Sequence, residues 1–534
     1  MMSVPLSKII ELINTQNYAK AELELKNIYP NNQESYDVNK LLGMTLLAQG
    51  KYRPAVKCFE KCINIKDDDY DINNNLSYIF TKIQFYDEAI KYAEKAKSLD
   101  KSKPHSYQNL AHCYFYLGQY QKAEINCRLS IDARGGELSA EFLDTQDLLG
   151  LYTDILIAQG KEKEFIDLAK KILKLYFSSN LLIKLNRINS NLIEQEYLEK
   201  TDENLERLSK LTNLVDRNRS ISNIYFFLAE YYGKTDKEKS ENFYIKGNQL
   251  ISDMQRDSIY HRQKATLNIW NFFNGNRDFD FGEAIPSNKG EGLIFVFGMP
   301  RSGTTLTESI LSTAKNIQPG GEKVFFSLQL NSIIKDLPKS SEKLNAEFFL
   351  DLGDRYLESI KQHRQNKKFF IDKLPENYLF YKFIKLALPG SKFIHCFRDP
   401  WDNAISLFKQ NYSVNLFYAS SFFGIATEYA NYEKLISLWK EIDGENSILE
   451  IEYEKIVNDK EYYIQKIWEF CQLEGEYSEE KRKKHVGITA SMQQVTKEIY
   501  QTSVKKVDFI EYQEKFYENL ESQRFYWENK SKLN

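Results

Sequence analysis

The chain has 534 residues, a formal net charge of −3 and an isoelectric point near 6.2. Without a global basic field, bulk DNA or RNA is excluded as a partner, and any anion must be met by a local cluster of donors. The length exceeds one ordinary core and calls for two or more domains, for which 42% apolar residues supply ample material.

The opening stretch, "MMSVPLSKIIELINTQNYAK", contains no apolar run long enough for a signal peptide. Nothing later approaches the roughly 18 apolar residues of a membrane span, so an intracellular, cytoplasmic protein is expected. Cys58, Cys62, Cys113, Cys127, Cys396 and Cys471 form no C-x-x-C pair and read as reduced core residues.

The first half is periodic. "NYAKA", "KYRPA", "FYDEA" and "QYQKA" place Tyr18, Tyr52, Tyr86 and Tyr120 at intervals of 34 residues, and Ala21, Ala55, Ala89 and Ala123 likewise. Helical periodicity on both sides of each motif predicts two antiparallel helices per unit, with the alanine permitting close approach and the tyrosine filling the gap beside it. A fifth unit comes eight residues late, which places an insertion around "ARGGELSAEF". A last degenerate hairpin is expected over "IYFFLAEYYGKTDKEKSENFYIKGNQLI", carrying the helical part to about residue 280. The pattern resembles the tetratricopeptide repeat, matched best over residues 36–69 through Leu42, Gly43, Ala55 and Phe59. Two uses of such an array stand side by side: a concave groove that captures a peptide or protein partner, or a scaffold or homodimer surface.

After the linker "IPSNKGEG", short apolar runs alternate with helical stretches. "LIFVF" ends at Gly298, "KKFFI" at Asp372 and Lys373, "SKFIHCF" at Arg398, and "ILEIEY" at Tyr453. Such a pattern predicts a parallel sheet covered on both faces, with a ligand site at the carboxyl ends of its strands.

The first of these strands runs into "GMPRSGTTL". Gly298 and Gly303 permit backbone to approach an anion, and the amides opening a helix at about Thr304 favour negative charge. A nucleotidase loop, G-x-x-x-x-G-K-[ST], would carry lysine where Thr304 stands. The loop's cation is instead Arg301, with hydroxyls on Thr304 and Thr305, which suits an anion less charged than a metal-bound triphosphate. The six histidines show no ligand spacing, so no metal site is expected, and His395, alternating within a strand, reads as a core residue.

"PRSGTTL" resembles the 5′-phosphosulfate loop of sulfotransferases, which use 3′-phosphoadenosine 5′-phosphosulfate. "FIHCFRDPWDNAISLF" resembles that family's 3′-phosphate signature, with Arg398 at the strand end and Ser406 in a helix that Pro400 opens. The likeness spans roughly residues 290–515 and is nearest to bacterial tetratricopeptide-repeat sulfotransferases and the related protein-tyrosine sulfotransferases. It implies an N-terminal α-helical tetratricopeptide solenoid over 1–280, followed by a P-loop-like α/β sulfotransferase domain with a central parallel sheet over 281–534.

The resemblance also implies roles. "NIQPGGEKVFF" makes Glu322 the candidate base, and Lys373 and Arg301 the cations around the transferring group. Arg301, Ser302, Gly303, Thr304 and Thr305 would hold the phosphosulfate end, Arg398 and Ser406 the 3′-phosphate, with Tyr453 also contacting the nucleotide. By an ungapped match Ser491 would contact the sulfate-bearing end, acting in catalysis as well, and Lys506 the 3′-phosphate. Two bland alternatives remain open here: Glu322 as an N-terminal helix carboxylate, and Lys373 as the partner of its neighbour Asp372. Two positions depart from the family pattern, with Gln410 where a basic residue is common and Val507 where tryptophan is common.

The expected activity is metal-independent transfer of a sulfuryl group to an acceptor hydroxyl, a peptide or protein tyrosine being favoured. Glycan, lipid and small-molecule hydroxyls stay open as acceptors. A P-loop kinase and a non-catalytic repeat scaffold are the competing classes.

Overall fold

The computed structural model describes residues 6–254, 256–412, 416–484 and 508–533. These group into two compact units, Met1–Leu168 and Ala169–Asn534.

In the first unit, the repeated tyrosines open the second helix of each hairpin: Tyr18–Ile28, Tyr52–Ile65, Tyr86–Leu99 and Tyr120–Asp132. Their partners are Leu6–Asn14, Tyr36–Ala48, Tyr70–Lys82 and Pro104–Tyr116. The turn inside each hairpin holds one left-handed residue at the same repeat position, at φ 59° for Gln16, 69° for Gly50, 64° for Gln84 and 71° for Gly118. That conformation lets the amides of Asn17, Lys51, Phe85 and Gln119 reach back to the carbonyls of Leu12, Leu46, Phe80 and Tyr114. Carbonyls left open at the helix end are thereby satisfied. Glutamine adopts the strained conformation where glycine is absent, so the closing hydrogen bonds outweigh a steric cost of roughly 1–2 kcal/mol.

Ala21, Ala55, Ala89 and Ala123 are all fully buried. Close approach is strictest at Gly43, where a Cβ would lie 2.6 Å from the Phe59 ring. The tyrosines are less uniform than the repeat implies. Tyr86 is buried and stacks on Tyr116, whereas Tyr18, Tyr52 and Tyr120 are only partly covered, so the repeated tyrosine marks a helix start more than it fills a gap. The late fifth unit is explained by Gly135 and Gly136, both at positive φ, and the short helix Ala140–Asp144 that precedes Gln146–Ala158.

In the second unit, Leu214–Tyr232 and Lys237–Asp253 form the degenerate hairpin, followed by Arg256–Gly275. Buried hydroxyls join the hairpin: Ser222 donates to the Gly247 carbonyl at 2.9 Å and Ser240 to that of Ala229 at 2.7 Å. The same helices are tied to the sheet-bearing part. Asn248 donates to the buried carbonyl of Phe408 at 2.8 Å, and Arg262 pairs with Glu376 at 2.6 Å and Glu428 at 2.9 Å.

Among the described residues, the sheet has five parallel strands in the order β2-β3-β1-β4-β5. They are β1 Leu293–Gly298, β2 Ile317–Pro319, β3 Phe369–Lys373, β4 Lys392–Phe397 and β5 Leu449–Glu452. Every residue of β1 and β3 is buried, as strands covered on both faces must be. The short edge strand β2 adds to the four expected from the sequence; its three residues are too few to show a period. Parallel register sets Val296 beside Lys373 and Gly298 beside Cys396, so the loop after β1, the end of β3 and the end of β4 share one edge. That edge is the carboxyl end of the sheet.

Candidate active site

The loop between β1 and the Thr304–Leu311 helix is shaped by three residues at positive φ: Gly298 at 154°, Arg301 at 72° and Gly303 at 99°. A Cβ on Gly298 would sit 1.9 Å from the Cys396 carbonyl oxygen, so only glycine lets the loop leave the sheet here. A Cβ on Gly303 would meet the Tyr453 ring at 2.7 Å, and Gly303 also caps the helix by accepting from the Thr307 amide. Asn403 pins the loop from outside, donating to the Pro300 carbonyl at 3.0 Å. The first amides of the helix have no acceptors within it and carry its positive end. Ser302, Thr304 and Thr305 are buried at this point, and the Ser302 hydroxyl oxygen has no hydrogen-bond partner among the described residues. A buried orphan hydroxyl beside a helix N-terminus fits a bound anion.

Arg301 is partly buried in the loop and donates to the Ser406 hydroxyl at 3.1 Å. Burial, with a smaller push from Arg398, holds its guanidinium below the usual value, while the Tyr412 phenol acts in the opposite sense. Ser406 lies on the Pro400–Phe408 helix, whose start is capped by Asp399, accepting from the amides of Trp401 and Asp402. Arg398 enters this helix from β4. Its guanidinium lies over the Tyr453 ring at 4.5 Å, with Asp402 at 3.7 Å and Glu454 at 3.6 Å, and its carbonyl accepts from the Tyr429 hydroxyl at 2.6 Å. The planar fork of Arg398 is thus held by stacking, which suits recognition of a phosphate.

At the end of β3, the fully buried Lys373 ammonium pairs with Glu322 at 2.6 Å, the Glu322 side chain remaining 41% exposed. Glu322 precedes the Phe325–Lys335 helix and is not in its first turn, so the helix-carboxylate alternative does not describe it. Lys373 pairs with Glu322 rather than with Asp372, whose carboxylate accepts instead from the Tyr356 hydroxyl at 2.7 Å. The segment carrying Glu322 is laid along β3 by backbone bonds. Gly320 donates to the Ile371 carbonyl at 2.8 Å, Lys373 to that of Gly321 at 3.0 Å, and the Glu308 carboxylate takes the Gly321 amide at 3.0 Å.

Two residues named from the sequence, Ser491 and Lys506, lie outside the described residues, as does Val507. Lys409, beside Gln410, pairs with Asp508 at 2.7 Å. His395 is buried, hydrogen-bonded to the Tyr432 hydroxyl and 3.3 Å from Glu450, and burial keeps its imidazole below the usual value. Among the described residues, no group of three His, Cys, Asp or Glu side chains is arranged to hold a metal ion. No described helix is long and apolar enough to cross a membrane.

Several positions at the site escaped the sequence reading. Tyr412 senses both Arg301 and Glu322, and burial pushes its phenol up to about 12. Asn403 and Glu308 hold backbone of the loop and of the Glu322 segment; the only trace of Asn403 in the sequence is its place one helical turn before Ser406.

Residues 294–479 match the model of the sulfotransferase family, and residues 38–69, 70–103 and 104–135 match that of the tetratricopeptide repeat. A protein of Aquifex aeolicus described as "Uncharacterized protein" is 29% identical over 332 residues, which is 59% of this chain and 43% of that protein. A Caenorhabditis briggsae protein named "Putative protein-tyrosine sulfotransferase" is 27% identical over 220 residues, 40% of this chain and 77% of that one. Among solved structures, the sulfotransferase domain of the Synechococcus PCC 7002 olefin synthase aligns at 17% identity with a TM-score of 0.31, covering 44% of this chain and 96% of the domain. The chain therefore spans less than half the length of the Aquifex protein it matches.

Proposed function

We propose that this chain, a sulfotransferase-family domain preceded by tetratricopeptide repeats, moves the sulfuryl group of 3′-phosphoadenosine 5′-phosphosulfate to an acceptor hydroxyl, a peptide or protein tyrosine being the favoured acceptor. The observation that carries the reading is the Lys373–Glu322 pair at 2.6 Å, a buried cation and a solvent-reachable carboxylate at the same sheet edge as the anion loop. The donor supplies a sulfur centre whose bond to the 5′-phosphate breaks as the acceptor oxygen attacks.

In this account Glu322 takes the acceptor's proton, contributing on the order of 10²–10⁴-fold. Lys373 and Arg301 hold the negative charge that gathers on the transferring group and on the departing phosphate. Ser302, Gly303, Thr304 and Thr305 bind the 5′ end through amides and hydroxyls. Arg398, braced by Tyr453, binds the 3′-phosphate with Ser406 alongside. The tyrosine preference rests on the relative named for that activity and on the choice of a glutamate as base. We place the change from repeats to transferase near residue 280, where helices give way to strands, while residues 169–275 share one compact unit with the sheet. A cytoplasmic setting, and a repeat array that presents the acceptor or a protein partner, belong to the same proposal.

The test is Glu322→Gln. Labelled transfer to a tyrosine peptide should fall by about 10²-fold or more, with adenosine 3′,5′-bisphosphate affinity within about twofold of the parent. Undiminished turnover removes Glu322 from the role of base.

A further inference from the structure

Directly behind the Glu322–Lys373 pair lies a second layer of polar side chains removed from solvent. Asp372 is 1% exposed, Lys323 6% and His363 5%. Two of them adjoin the Glu322–Lys373 pair along the chain: Asp372 precedes Lys373, and Lys323 follows Glu322. In an extended strand, adjacent side chains point to opposite faces, so Lys373 reaches the site while Asp372 points into the protein.

The Asp372 carboxylate has three donors from three elements. Tyr356, on the Ala346–Arg364 helix, donates to one oxygen at 2.7 Å, and Asn377, just after β3, donates to the other at 3.3 Å. The third is a backbone hydrogen bond from Lys323. Lys323 sends its ammonium to the Nδ1 of His363, two helical turns beyond Tyr356, at 2.9 Å. Across the segment, Glu308 takes the Gly321 amide at 3.0 Å, and its other oxygen is buried without a partner among the described residues. Residues 321–323 are therefore held from one side by Glu308 and from the other by Asp372, with Glu322 between the two anchors.

We infer that Asp372 is a positioning residue that fixes Glu322 and Lys373 relative to each other, by binding the backbone next to one while being covalently next to the other. The inference rests on the proposed roles of Glu322 and Lys373 but concerns the geometry of the segment, which can be read without turnover. A carboxylate so placed is costly to bury unless its lone pairs are filled, so each lost donor loosens the anchor. Burial pushes the Asp372 carboxyl up to about 7 and the Lys323 ammonium down to about 8. The charged and titratable groups facing this layer are Tyr356 and His363 from the Ala346–Arg364 helix, Glu308 from the Thr304–Leu311 helix, and Lys323 itself.

The experiment uses the full chain with Asp372→Asn, and Tyr356→Phe as a milder variant that removes one donor and keeps the carboxylate. Amide hydrogen exchange is followed by mass spectrometry, together with transfer from labelled donor to a tyrosine peptide. In Asp372→Asn, exchange across residues 320–324 should speed up by about tenfold or more while peptides from β1 and the 304–311 helix stay within about twofold. For the same variant, kcat should fall about tenfold or more with little change in bisphosphate affinity, and Tyr356→Phe should show the same pattern more weakly. Unchanged exchange at 320–324 in both variants overturns the inference, as does a uniform rise across the whole second unit, which is a folding defect. If exchange responds as stated but the parent protein transfers no sulfuryl group, the anchor stands and the proposed reaction falls.

Discussion

Replacing Lys373 by methionine separates chemistry from stability at the centre of the site. The lysine side chain is fully buried and its amine meets Glu322 at 2.6 Å, but the carboxylate it leaves behind is 41% exposed and can be hydrated. A pair with one partner so exposed contributes about 1 kcal/mol or less, and methionine keeps the apolar stem while relieving the desolvation of a buried ammonium. The two changes nearly cancel, so unfolding should shift by no more than roughly 4 °C for a unit of this size. Transition-state charge on the sulfuryl group has no such compensation. Loss of one preorganised donor removes about 2.7–4 kcal/mol, a fall of roughly 10²–10³ in single-turnover transfer. Scanning calorimetry paired with rapid-quench transfer of labelled sulfate measures both quantities on one preparation. A loss of transfer smaller than about threefold, or a collapse of the calorimetric transition, would refute the reasoning: the first denies Lys373 its role, and the second makes that role structural.

In the repeats, Gly43→Ala should destabilise the array by about 1–3 kcal/mol in denaturant unfolding, because the added methyl would lie 2.6 Å from the Phe59 ring. No loss would mean that the two helices can part without cost. Glu22 gives the repeats an acid dependence. Hydrogen bonds from Lys26 and then Lys51 hold its carboxyl at about 2, below an ordinary value near 4.5, so its contribution is full above pH 4.5 and is lost as pH falls toward 2. Glu22→Gln should flatten that part of a stability-against-pH curve, and an unaltered curve would assign the acid sensitivity elsewhere.

The sequence made the helical repeats and the main strands readable because both rest on periods that a chain repeats openly: 34 residues for the tyrosines and alanines, and short apolar runs ending in polar residues for the sheet. It did not reveal that Gln16 and Gln84 take the left-handed turn that Gly50 and Gly118 take, since that conformation is imposed by the hydrogen bonds of the closed hairpin. Strand β2 was invisible for a related reason; three residues become a strand only when β3 lies beside them. At the site, Arg301, Glu322, Lys373, Arg398 and Ser406 could be named because their chemistry sits in short local motifs. Their partners could not: Ser406 joins Arg301 across 105 positions of chain, and Lys373 joins Glu322 across 51. Asp372 looked like a local partner for Lys373 until strand alternation turned it inward, to Tyr356.

The central claim is that the loop after β1 and the arginine after β4 together hold a nucleotide carrying both 5′ and 3′ phosphoryl groups. Calorimetric titration of the full chain with adenosine 3′,5′-bisphosphate, in the presence of a chelator, tests it most directly. The account requires saturable binding at one site per chain with a dissociation constant on the order of micromolar, weakened by about tenfold or more in Arg398→Ala. Absence of binding, or binding indifferent to Arg398 and matched by magnesium-dependent ATP, would contradict it.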